Sequence, residues 1–131
     1  MEVLEHVKNP FNAIKEIQRV LKPGGIIIGS TPFVFPIHDE PHDFYRYTKY
    51  GLRNLFKDFE CIELIERNSY IESIYVILLR LLNIGNKKQK MVGILLSPVY
   101  FILLPFMALV SLLVTNKQST TGYFFIFKQR P

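Results

Sequence analysis

Leu21-Lys22-Pro23-Gly24-Gly25-Ile26-Ile27-Ile28-Gly29-Ser30-Thr31-Pro32 is the stretch on which the fold turns. Pro23-Gly24-Gly25 ends whatever precedes it and reverses the chain. Ile26-Ile27-Ile28 is then a short continuous apolar run, the pattern of a strand buried on both faces of a parallel sheet. Upstream, Asn9-Pro10 marks a helix start. Asparagine caps, and proline at the first helical position lacks an N–H that would have no intrahelical partner anyway. Phe11, Ile14, Ile17, Val20 and Leu21 follow at helical spacing and build one apolar face, with Lys15, Glu16, Gln18 and Arg19 toward water. Helix, tight turn and buried strand predict a piece of a doubly wound α/β sheet.

Downstream, residues 32–47 read as a loop rich in Pro, His, Asp and aromatics. Thr48 caps a second helix, whose Leu52, Leu55, Phe56 and Phe59 share one face. Cys61 to Glu66 reads as a strand, and Tyr123 to Lys128 as a final one. The single cysteine, Cys61, excludes an internal disulfide and fits a reducing compartment. It reads as a small residue packed in a strand rather than a catalytic thiol. The net charge of +5 does not form one stripe: Lys87, Lys88 and Lys90 cluster before an apolar segment, and Lys117, Lys128 and Arg130 follow it. Cations flanking apolar sequence suit a membrane surface at least as well as a phosphate backbone, so no nucleic-acid partner is expected. Met1 to Val7 carries two glutamates and no apolar run, which is not the pattern of a secretory signal.

Met1-Glu2-Val3-Leu4-Glu5-His6-Val7, the Asn9-Pro10 helix, Leu21-Lys22-Pro23-Gly24-Gly25 and Ser30-Thr31-Pro32, in that order, resemble the second half of a class I S-adenosylmethionine (SAM)-dependent methyltransferase of type 11/12. The resemblance covers residues 1–69 and 122–131. It implies an α/β fold with a partial Rossmann-like sheet, from the end of strand four to strand seven. The first motif would follow the fourth strand and Leu21–Gly25 would lead into the fifth. Gly122 to Lys128 is similar to the seventh strand, inserted antiparallel between the fifth and sixth. The implied organisation is a core half at 1–69, an apolar helical insert at 70–116 and the final strand at 117–131. The segment His38 to Thr48 looks like a subgroup found among bacterial envelope methyltransferases. The implied activity is methyl transfer from SAM to an oxygen of a sugar, a lipid-linked molecule or another small acceptor. The alternative is a non-catalytic, membrane-associated interaction protein keeping half of the fold. No Gly-rich strand-to-helix turn precedes these motifs, and dinucleotide-type folds need such a turn for close backbone approach to the ligand. The expectation is therefore a clipped enzyme whose isolated chain neither binds SAM tightly nor turns over. Only the wall beside the cofactor's methionine moiety, around Met1 and Glu2, is expected here.

Glu2, Glu5 and His6 have the spacing E-x-x-E-H, which places them on one face if a helical turn begins there. Two carboxylates and an imidazole can hold a divalent ion, and the carboxylates favour a hard one such as Mg²⁺. The triplet looks like the metal set of quinone-biosynthesis O-methyltransferases and small-RNA 3′-end methyltransferases. In the latter a downstream histidine completes the site, and His42 is the best positional match, with His38 second. A metal-free pocket wall and a purely structural role stay open. Without metal, His6 or His42 is the general base, because imidazole titrates near neutrality. His38, Asp43, Tyr45 and Arg46, with Tyr47 beside them, are expected to meet the acceptor. The alternative is that Arg46 pairs with Asp43 while the tyrosines pack under the loop. Asp39 and Glu40 read as solvated charges.

Between Lys90 and Lys117 lie 26 residues without charge. As a helix they would extend roughly 39 Å, against a bilayer core of about 30 Å. The resemblance puts the strands on either side of this insert in one sheet, which a single crossing forbids. Four arrangements remain. They are a re-entrant hairpin bent at Pro98 or Pro105, a pair of crossings with Ile71–Ile84 as the first, helices lying in the interface plane, and a soluble helical cap. The expected location is the cytoplasm, associated with the inner face of the membrane.

Overall fold

The computed structural model describes residues 2–80 and 86–130. They form two compact units: residues 2–67 with 122–130, and residues 68–80 with 86–121. The first is mixed α/β, with a three-stranded sheet. A 3₁₀ turn at Leu4–His6 leads to helix α1 (Pro10–Val20), strand β1 (Ile26–Pro32), helix α2 (Lys49–Leu55), strand β2 (Phe59–Glu66) and strand β3 (Gly122–Gln129).

The local signals act as their chemistry dictates. The Asn9 side chain accepts the Asn12 N–H and Pro10 opens α1. After α1, Gly25 N–H bonds the Lys22 carbonyl and Gly24 takes φ +74°, a proline-glycine turn that leads straight into β1. The Thr48 hydroxyl accepts the Gly51 N–H at the start of α2. That helix stops at Leu55, so Phe59 is the first residue of β2 and not a member of the helical face. The face of α1 is also narrower than its apolar residues suggest. Ile14 is buried and Ile17 and Leu21 pack against the core, while Phe11 and Val20 flank the stripe and stay exposed.

The sheet order is β1-β3-β2, and β3 is antiparallel to both neighbours. Ile28 pairs with Ile126, and Leu64 with Phe125. β1 and β2 therefore run in the same direction with the last strand inserted between them. The expected neighbourhood of 26–31 and 122–128 is present. Two-sided burial of the Ile26-Ile27-Ile28 run is not. Ile27 faces the core, whereas Ile26 and Ile28 are 56% and 57% exposed, because α1 and α2 pack on one face only. Cys61 lies in β2 as expected, but it is exposed rather than packed.

The core is Tyr123, Phe125 and Phe127 of β3 against Leu52 and Leu55 of α2 and Phe56 at its C-cap, with Ile14, Ile27, Leu4 and Phe59 around them. Phe56 stacks on Phe127 with ring centroids 4.3 Å apart and lies 5.2 Å from Phe125. Gly122 permits the close approach of β3 to β1, since a Cβ there would sit 2.3 Å from the Thr31 carbonyl oxygen.

The second unit holds α3 (Tyr70–Arg80) and α4 (Lys87–Leu113). α4 runs unbroken through Pro98 and Pro105, so neither proline is the site of a chain reversal. Of the predicted first apolar segment, Ile71 to Arg80 lies in α3 and Ile84 falls outside the described residues.

Phe56→Ala is expected to cost about 3–5 kcal/mol, read as a lowered midpoint in urea unfolding. Tyr50→Ala, at a residue 69% exposed, should change it by no more than about 0.5 kcal/mol. Equal effects would mean that the Phe56 stack is not the centre of the core.

Candidate functional site

The site is built where the 3₁₀ turn meets the loop after β1. The carbonyl of Glu5 accepts two backbone N–H groups, from Phe44 at 2.8 Å and Tyr45 at 3.2 Å. Tyr47 donates its hydroxyl to the Leu4 carbonyl and Tyr45 donates its own to Lys8, each at 3.0 Å. Tyr47 is buried, and burial first, with the Tyr45 and Glu5 charges adding, pushes its phenol well above the ordinary range, so it stays a donor. Residues 4–8 are thus laced to residues 42–47.

The loop is braced from within. Arg46 grips Asp43 with both terminal nitrogens, at 2.5 and 2.6 Å, and also donates to the carbonyls of Phe35, Pro36 and Tyr45. Asp43 further accepts the His38 N–H at 3.0 Å, and its side chain is 1% exposed. The Arg46 hydrogen bonds hold the Asp43 carboxyl far below the usual carboxylate range. Burial acts against them, and the His38 N–H and the Arg46 and His38 charges add to them. Of the two readings of this pair, the internal one is what the loop contains: Asp43 and Arg46 bind each other.

Lacing fixes Glu5 and His6. His6 Nδ1 lies 2.8 Å from the His42 carbonyl. A carbonyl only accepts, so Nδ1 carries the proton and Nε2 faces inward. Nε2 is 3.8 Å from Glu5 Oε1 and 3.8 Å from Asp39 Oδ2. Glu5 is fully buried, and among the described residues neither of its carboxylate oxygens takes a hydrogen bond. His38 completes the group: its ring meets that of His6 edge-on at 4.9 Å, and its Nδ1 lies 3.3 Å from the Pro36 carbonyl. Glu5, His6 and His38 each offer one ligand atom within 4.8 Å of one another.

Several sequence-derived residues sit elsewhere. The Glu2 carboxylate pairs with Arg67 and accepts from the Ser30 hydroxyl at 3.4 Å, apart from the Glu5–His6–His38 group. His42 reaches the site through its backbone carbonyl, while its exposed ring neighbours Phe44 at 6.2 Å. His38, the second choice from sequence, is the imidazole beside Glu5 and His6. Asp39, read as a solvated charge, points a carboxylate oxygen at His6 and adopts φ +54°. No periodicity signals its part; an Asp in a Pro- and His-rich loop, tolerant of the left-handed region, was the only cue. Met1 falls outside the described residues.

Charge and geometry together define what this group can hold. A buried carboxylate without a donor, an imidazole lone pair and a second imidazole are the donor set of a small cation site. The same Nε2, flanked by two carboxylates, is also a place to receive a proton.

The depressed Asp43 carboxyl gives a pH prediction. A group ionised more readily in the folded state stabilises the fold above its unfolded value, and that contribution fades as pH falls below it. The thermal midpoint should therefore drop more steeply below about pH 4 in the wild type than in Asp43→Asn. At neutral pH the variant should lose about 3 kcal/mol. Parallel acid profiles would show that the Asp43–Arg46 pair carries no such weight.

No curated protein matches the chain. Residues 1–29, which span the 3₁₀ turn, α1 and the first half of β1, match the family described as a methyltransferase domain, and that match supports a methyltransferase family for this stretch.

Proposed function

We propose that residues 1–67 and 122–131 are the acceptor side of a SAM-dependent methyltransferase acting on an oxygen of a sugar or other small acceptor. Three observations support the reading. Residues 1–29 match a methyltransferase domain, β3 is inserted antiparallel between β1 and β2, and the polar cluster lies just before α1, beside β1. The single observation that carries the chemistry is the 2.8 Å contact of His6 Nδ1 with the His42 carbonyl, which assigns the proton to Nδ1.

Methylating a hydroxyl requires that its proton leave as the new bond forms. His6 Nε2 accepts that proton. The His42 carbonyl holds the ring so that the basic nitrogen points the right way, and Glu5 and Asp39 stabilise the imidazolium that results. When bound, SAM supplies the methyl group and departs as a neutral thioether. Glu2, expected beside the cofactor, is engaged by Arg67 and Ser30. What this portion supplies is orientation and a proton acceptor, the positional part of catalysis.

A second reading has its own support: the Glu5 carboxylate without a hydrogen-bond donor among the described residues. Glu5, His6 and His38, now one carboxylate and two imidazoles without Glu2, fit zinc or a first-row transition-metal ion better than the Mg²⁺ expected from two carboxylates, and such an ion would lower the pKa of a bound acceptor hydroxyl.

The test uses the protein as its gene encodes it, given SAM labelled in the methyl group and an envelope extract of sugars and lipids. Label is expected in methyl ethers of the extract, and His6→Ala should reduce the rate by about 10²–10⁴-fold. Asp43→Asn, assayed below its unfolding temperature, should be milder. Binding of SAM without any label transfer, or full activity in His6→Ala, would sink the proposal. Removing divalent ions with a chelator tells the two readings apart: activity lost and restored by zinc or another first-row divalent ion favours the cation, and unchanged activity favours the proton.

A further inference from the structure

We infer that α3 and α4 are a membrane-embedded hairpin, with α4 sheathed by lipid hydrocarbon and its lysines set against anionic headgroups. The inference concerns residues 68–121 alone and does not rest on methyl transfer.

α4 is 27 residues long, has a mean hydropathy of 2.2 over its most apolar window, and that window is only 6% buried. Its exposed apolar side chains occupy every side of the cylinder: Leu95 and Leu113 point one way, Ile94, Phe101 and Leu112 a second, Leu103 a third and Leu104 opposite the first, all 41–80% exposed. A helix in the interface plane keeps a polar side for water, and α4 has none, so immersion rather than floating matches its surface. α3 does not relieve this exposure. It packs along one line of α4, its start beside Leu104–Ser111 and its end beside Leu96 and Val99, so the two run antiparallel.

Three details are compatible with hydrocarbon. The missing N–H of Pro98 frees the Ile94 carbonyl, and the Ser97 hydroxyl donates to that carbonyl at 2.7 Å. Restoring a freed carbonyl from a neighbouring hydroxyl matters most where water cannot reach it. Charges are also confined to the ends: Lys87, Lys88 and Lys90 lie at one end of α4 and Lys117 beyond the other, with none on residues 91–116. The acid of α3 is spent on its first turn, where Glu72 accepts the Ser69 N–H at 2.7 Å and Ser69 faces the Glu72 N–H in return.

Both ends of the hairpin lie together. Asn68 N–H bonds the Thr120 hydroxyl, the Thr121 hydroxyl donates to the Asn68 side chain, and Tyr70 N–H bonds the Asn116 carbonyl at 2.8 Å. The chain therefore enters and leaves the bilayer from one side.

The test is flotation of the full protein with vesicles of phosphatidylcholine containing phosphatidylglycerol, followed by alkaline carbonate and high-salt washes. The protein should rise with the vesicles and stay through both washes. Ile102→Asp combined with Leu109→Asp should reduce recovery in the floating fraction by about a hundredfold or more, while far-ultraviolet circular dichroism confirms that the sheet unit is folded. Replacing Lys87, Lys88 and Lys90 together by Gln should leave flotation intact but cut the preference for anionic over neutral vesicles by about tenfold. Release by carbonate, a monodisperse soluble protein without lipid or detergent, or flotation of the double-aspartate variant would each overturn the embedding. An unchanged vesicle preference in the lysine variant would overturn the headgroup contact.

Discussion

Neither β1 nor β2 pairs with the other; each hydrogen-bonds to β3. The sheet therefore exists only when Gly122–Gln129 returns between them, after the whole of residues 68–121 has intervened. Closing a loop of that length costs entropy, though the cost grows only logarithmically with length. Two sets of contacts offset it. One is the stack of Phe56 on Phe127 and Phe125, which anchors β3 to α2. The other is the set of hydrogen bonds joining Asn68 and Tyr70 to Asn116, Thr120 and Thr121. These make the ends of the second unit behave like the ends of a tight turn, so that Glu66 and Tyr123 meet in register.

The elements were legible in the sequence wherever a side chain answers a backbone group close by. Asn9, Pro10, Thr48 and Pro23-Gly24 each act within a few residues, and each acts as read. The pairing of β1 with the last strand was legible only through the resemblance, because a strand carries no record of its partner. The Ile26-Ile27-Ile28 run misled for a related reason. Three apolar residues in a row fit burial on both faces, but which face is covered depends on helices elsewhere. Here α1 and α2 cover one face, and the other presents Ile26, Ile28, Ile62 and Ile65 to solvent.

The site was legible in its residue types and not in its partners. Glu5 and His6 are adjacent, and a shared 3₁₀ turn places them together. His38 against His42 could not be decided from spacing, because the loop between β1 and α2 has no period to count along. Its path is set by the Asp43–Arg46 pair and by the N–H groups of Phe44 and Tyr45 on the Glu5 carbonyl. Those contacts turn the His42 backbone, rather than its ring, toward His6. Glu2 escaped the group in the same way, since Arg67 lies too far along the chain for spacing to reveal the pair.

The remaining question is what balances the charge around Nε2 of His6. With the proton held on Nδ1, Nε2 presents a lone pair to Glu5 and Asp39, each 3.8 Å away. Three electron-rich atoms facing one another repel, and Glu5 has no water-exposed surface through which to screen its charge. A proton or a small cation at Nε2 would answer the lone pair and the Glu5 carboxylate together, whereas Asp39 is 79% exposed and solvated. The two occupants compete for one lone pair. A His6 that ligates a metal cannot take the acceptor's proton, and a His6 that takes the proton cannot ligate. On the function proposed above, base and metal site are therefore alternative uses of one lone pair beside the buried Glu5 carboxylate.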